Sequence, residues 1–231
     1  MDEFGLGWAL AGILLTAGLA TLGTWVVNVQ TLRHERETKQ EEIERHARYL
    51  AIRVICVLDP FVSDCVEVVH DEGVPSPPER EYVSCVSTPS LTLPEDVDWR
   101  AVKPDLMYKI LGFPSEIAVA DQTIGRTKSE ISTPPDHNEF FWERTIRYGK
   151  LGLAAMNLAD DLRGIYGIPA RDDGDWNVRE SLELRLTKVE KQKADSEAKQ
   201  AEFHRRMWEE HEARKAVEAV PALPVSDRQP I

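Results

Sequence analysis

The pair Glu67-x-x-His70 has the spacing with which carboxylate-bridged di-iron bundles present metal ligands on one helix. Such a centre needs two of these pairs and two further inward glutamates. This sequence holds the pair once, and Glu67 falls off the apolar stripe of Phe61, Cys65 and Val68, so the pair reads as solvated surface. His34, His46, His137, His204 and His211 lie among charged or loop-forming residues, with no obvious nucleophile or base arranged beside them in sequence. "GRTKS" at 125–129 sets a lysine near a glycine without the spacing of a phosphate-cradling loop, and "GLGWAL" lacks the third glycine of a dinucleotide turn. No G-x-S-x-G, H-E-x-x-H or EF-hand pattern occurs. Trp99, Trp142, Arg144 and Asp161 are the residues from which a pocket of convergent distant groups could be assembled. The expectation is a protein without catalytic activity, metal or cofactor.

Cys56, Cys65 and Cys85 are an odd set with no C-x-x-C spacing, which gives neither a zinc ribbon nor a disulfide framework. Apolar neighbours such as Ile55, Val57, Val66 and Val86 suit reduced, partly buried thiols and a reducing compartment. The net charge of −12 argues against nucleic-acid binding, because affinity for a phosphate backbone comes from clustered Lys and Arg.

The elements that must position these residues begin with a long apolar run. No charge occurs between Glu3 and Arg33. The stretch from Trp8 to Val29 would span about 33 Å as a helix, matching the hydrocarbon thickness of a bilayer. Trp8 and Trp25 stand near its two ends, where indole rings favour the interface. The acidic "MDEF" start and the length of the run fit a retained anchor better than a cleaved leader. Arg33, Arg36 and Lys39 follow it and no basic residue precedes it, which orients the N-terminus outside and the remainder in the cytoplasm. Gly12, Thr16, Ala20 and Thr24 recur at every fourth position, a strip through which two such helices could pack in lipid.

After this anchor at 1–29, residues 30–48 read as a charged helical stalk. Residues 49–186 read as a helical bundle with a Pro-rich loop at 71–98. Leu50, Val54, Leu58, Phe61, Cys65 and Val68 make one apolar helix face, within which Pro60 either kinks the helix or restarts it. "YVSCV" and "LTL" suit short extended pieces. Two helices are expected from "PDLMYKIL", ending at Gly112, and "PSEIAVADQTIGRTKSEI"; a long one follows with the stripe Phe141, Tyr148, Leu151, Ala155, Leu158, Leu162 and Ile165. A last helix, expected from near Asp175, carries the seam Val178, Leu182, Leu186 and Val189. It continues over 187–219 as a charged helix or coiled coil, with eight basic and eight acidic residues between 188 and 219. Phe203, Met207 and Trp208 are its bulky apolar residues and the expected partner contact; residues 220–231 read as a disordered tail.

The fold class expected is therefore all-α: one N-terminal transmembrane helix, a cytoplasmic helical bundle and a long charged C-terminal helix. The function expected is a single-pass scaffold or adaptor in the inner or plasma membrane. Its partners would be the lipid bilayer, a second copy through the membrane helix, and a protein. The alternatives are an envelope or phage-type lysis accessory with its helical part outside the cytoplasm, and an enzyme or metal-binding helical protein.

Overall fold

The structure, a computed structural model, describes the backbone of residues 3–78 and 80–218 and the side chains of 33–78 and 80–215. Among these, the fold is helical with bundle-like packing. It comprises α1 (Glu3–His70), α2 (Pro104–Arg126), α3 (Asn138–Tyr166) and α4 (Val178–Glu218), with a small hairpin of β1 (Val74–Ser76) and β2 (Glu81–Val83). The strands pair antiparallel, Val74 with Val83 and Ser76 with Glu81. Among the described residues no helix is long and apolar enough to cross a membrane. The expected anchor side chains Trp8, Gly12, Thr16, Ala20, Thr24 and Trp25 lie outside the described residues, as does the tail at 220–231.

The chain divides into two compact units. The first comprises Met1–Val57, Thr92–Gly112 and Leu158–Ala170. Residues 33–46 of α1 are exposed, Arg33, Arg36 and Lys39 among them, and Ala47 is the first buried residue described. From there Ala47, Leu50, Ala51 and Val54 repeat at helical spacing and are buried, as are Leu106 and Ile110 of α2 and Leu158 and Leu162 of α3. Pro104 opens α2, where its missing N–H costs nothing, and the Lys103 carbonyl accepts from the Met107 N–H at 2.9 Å. α3 ends just before Gly167, which takes the left-handed φ of 60° and whose carbonyl accepts from the Arg48 guanidinium at 3.3 Å.

The second unit comprises Leu58–Leu91, Phe113–Asn157 and Arg171–Ile231. Its core joins Phe61, Cys65 and Val68 of α1, Phe113 and Ile117 of α2, Tyr148 and Ala155 of α3, and Val178, Leu182, Leu186 and Val189 of α4. Phe61 and Phe113 meet edge to face with centroids 5.6 Å apart. Gly152 lets α3 approach closely: a Cβ there would stand 3.1 Å from Cys65 Cβ and 3.2 Å from Leu182 Cδ1. Asn177 starts α4, its side-chain oxygen accepting from the Glu180 N–H at 3.1 Å.

One boundary left open by the sequence is decided here, and others differ from the expectation. α1 runs unbroken through Pro60, because the residues around it (Leu58, Phe61, Val62 and Cys65) are all buried and packing outweighs the lost backbone bond. α2 likewise passes through Gly112 and Pro114 as one helix, since Ile110, Phe113 and Ile117 continue a single buried face across them. It ends in a π-helical turn at Thr127–Ile131. The stretch "LTL" forms no strand; β2 pairs instead with Val74–Ser76, inside what reads as loop. Of the three thiols only Cys65 is buried, whereas Cys56 and Cys85 are exposed.

Candidate functional site

The opening turns of α3 organise the most elaborate cluster of side chains in the second unit. Successive helical residues point about 100° apart, so Phe141, Trp142, Glu143 and Arg144 each face a different neighbour. The Phe141 ring packs against Gly73, whose φ of 74° is left-handed. Glu143 accepts from Arg147 at 2.7 Å and from Lys193 of α4 at 3.1 Å. Arg144 donates to the Asp71 carboxylate at 2.7 Å and to the Val86 carbonyl at 2.6 Å. Asp71 also accepts from the backbone N–H groups of Gly73 at 3.0 Å, Cys85 at 3.0 Å and Val86 at 3.1 Å. The Asp71 and Arg144 side chains are 3% and 4% exposed, so this is a closed polar node that ties the 71–86 excursion to α3.

The electrostatics follow. Burial alone would raise the Asp71 carboxyl, but the donors from Val86, Arg144, Gly73 and Cys85 together hold it below its ordinary value. Glu143 behaves alike: burial opposes ionisation, and Arg147 and Lys193 outweigh it. Burial, reinforced by Asp64, pushes the Cys65 thiol up. Tyr148, also raised by burial, donates its hydroxyl hydrogen bond to Asp121. Neither Cys65 nor Tyr148 is activated as a nucleophile.

Between the pinned residues, Trp142 lines two grooves. The larger, about 760 Å³, is also lined by Tyr82, Asp136, Arg185, Asp195 and Lys199. The smaller, about 300 Å³, adds the π-helical turn through Thr127 and Ile131, with Lys193 and Gln200 of α4 opposite. The hairpin is held beside them by the Tyr82 N–H donating to the Pro135 carbonyl at 2.9 Å.

The residues singled out in the sequence fall as follows. Glu67 and His70 form no metal set: His70 Nε2 lies 3.0 Å from the Ser181 hydroxyl, and no metal-holding group of His, Cys, Asp and Glu occurs among the described residues. His137 is bonded through Nδ1 to the Ser132 hydroxyl at 2.6 Å, while His34, His46, His204 and His211 are exposed on helices. Arg144 is taken by Asp71, and Asp161 pairs with Lys109 at 3.7 Å. Phe203, Met207 and Trp208 are 53%, 50% and 68% exposed. Met207 lies 18 residues beyond Val189, five full turns, so it stands on the same side of α4 as the buried seam. Phe203 is about 40° from that line and Trp208 about 100° from it.

No protein-family model, curated protein or solved structure matches this chain. The sequence reading singles out Trp142 and Arg144 as pocket residues, whereas Asp71, Tyr82, Asp136 and Arg185 are not marked in it. Two signals mark the node. Arg144 interrupts the apolar spacing of Phe141, Tyr148 and Leu151, and Asp71 stands two residues before a glycine at a helix end, a turn-forming position.

Proposed function

We propose that this protein is a membrane-tethered scaffold or adaptor whose helical part faces the cytoplasm and holds a protein partner through the outer half of α4. The observation that carries the reading is the continuation of α4 beyond its last buried residue. Every residue from Glu197 to Lys215 is exposed, and Phe203 and Met207 extend the face that Val178, Leu182, Leu186 and Val189 bury. A solvated helix does not need two large apolar residues on one line; a helix that docks there does.

The tether rests on the sequence: an uncharged run from Phe4 to Leu32, tryptophans at its ends, acids before it and Arg33, Arg36 and Lys39 behind it. The strip of Gly12, Thr16, Ala20 and Thr24 supports pairing of two copies in the bilayer. Affinity capture with crosslinking from native membranes tests the adaptor reading. A protein recovered with the unaltered chain and lost with Phe203→Ser/Met207→Ser supports it; identical recovery from both refutes the role of α4. Protease protection tests the orientation: digestion of α4 from outside intact cells would favour an envelope or lysis accessory instead.

A further inference from the structure

We propose that the larger groove beside Trp142 receives a basic peptide segment, with an arginine or lysine side chain held by the aromatic rings of Trp142 and Tyr82 and by the carboxylates of Asp136 and Asp195. This deepens the adaptor reading and rests on it, since it names the chemistry of the partner.

Charge assignment decides the sign of the ligand. Arg185 donates to the Val69 carbonyl at 3.0 Å and pairs with Glu72 at 2.8 Å, so these two opposite charges offset each other at the groove. Asp71 is committed to Arg144. Among the described residues Asp136 and Asp195 have no ion partner, and both are exposed at the groove that they line. Lys199 is the one cation lining it without a described partner, so the uncommitted charge is two carboxylates against one ammonium. A guanidinium or ammonium is drawn to carboxylates and to the faces of indole and phenol rings alike, whereas an anion would meet both with repulsion.

Size and order agree. A groove of about 760 Å³ accommodates a long side chain and the backbone that bears it. Trp142 is followed by Glu143 and Arg144, each fixed by two partners, and preceded by the buried Phe141, so the backbone beneath its ring is set before a ligand arrives. The net charge of −12 steers a cation toward the protein from any direction, which makes a charge-matched control essential.

The test is calorimetric titration of the full chain, in zwitterionic detergent at low salt, with an end-blocked tetra-arginine peptide. Saturable binding at one site is expected. Asp136→Asn/Asp195→Asn should weaken it roughly tenfold, and Trp142→Leu severalfold, with helix content unchanged. Glu116→Gln/Glu183→Gln removes the same charge away from the groove and should leave the affinity unaltered. No saturable binding, or equal weakening in the two charge-matched variants, overturns the proposal. Failure here, with partner capture through Phe203 and Met207 intact, removes the groove and leaves the adaptor reading standing. Identical capture by the unaltered chain and Phe203→Ser/Met207→Ser, with groove-dependent peptide binding intact, removes the role of α4 and leaves the groove as a site for cationic peptide.

Discussion

Asp71 gathers four hydrogen-bond donors, three from backbone and one from Arg144, at a position 8% exposed. Removing the charge of one partner leaves the other buried and unpaired, which costs far more than the loss of a surface pair. Asp71→Asn should therefore destabilise the protein by roughly 3–5 kcal/mol in denaturant titration. Glu72→Gln, whose side chain is 70% exposed, should cost less than about 1 kcal/mol. Hydrogen exchange of the Cys85 and Val86 amides gives a local readout, because Asp71 is their acceptor; they should exchange faster in Asp71→Asn. Acid stability follows the same chemistry. Asp71 and Glu143 are both held below their ordinary values of 3.8 and 4.5, so their contributions are complete above those values and disappear as the pH falls through the depressed folded ones. His70, lowered by partial burial and by Arg185 against the pull of Glu72, adds a loss once the pH drops below its ordinary 6.5. Stability should decline from neutral pH toward acid, and Asp71→Asn should flatten the most acidic part of that decline. At the same scale, a thiol reagent should titrate Cys56 and Cys85 in the folded chain and reach Cys65 only on unfolding.

Helices were legible in the sequence wherever apolar residues recur at three and four, as in the stripe Leu50, Val54, Leu58, Phe61 and Cys65 or the seam Val178 to Val189. Their ends were less so. Gly112 and Pro114 are local signals for a break, and at each the buried face on either side decides otherwise; Pro60, open in sequence between a kink and a restart, lies within one helix. The hairpin was only half legible, since β1 holds Pro75 and its pairing depends on a partner strand and on Pro135 of a distant loop. The grooves were legible only in Trp142: Tyr82 and Asp195 lie far from it in sequence, and Asp136 near it carries no motif. Gly73 tests the join between α1 and the hairpin. Its left-handed φ and the Phe141 ring against it both exclude a side chain, so Gly73→Ala should cost roughly 1–3 kcal/mol by thermal or chemical unfolding. α4 behaves oppositely in its outer half. Phe203→Ser/Met207→Ser should change folding stability by no more than about 0.5 kcal/mol while abolishing partner capture, because both side chains lie on the exposed part of the helix, beyond its buried seam.

For the whole molecule, the proposed tether leads into a helical fold whose last helix is buried in its first half and exposed from Glu197 to Lys215. Asp71 is stabilised as an ion within a closed pair, Glu143 as an ion between two half-exposed cations, and Cys65 as a thiol. The central claim is the tether with its helical part inside, and the protein carries its own reporters in the exposed thiols of Cys56 and Cys85. Cells producing the chain are treated with a membrane-impermeant maleimide before or after permeabilisation, and the alkaline-washed membrane pellet is then analysed by mass. The chain should stay in the pellet, unlabelled in intact cells and labelled at Cys56 and Cys85 once the cells are opened. Labelling in intact cells, or release of the chain into the wash, would contradict that claim.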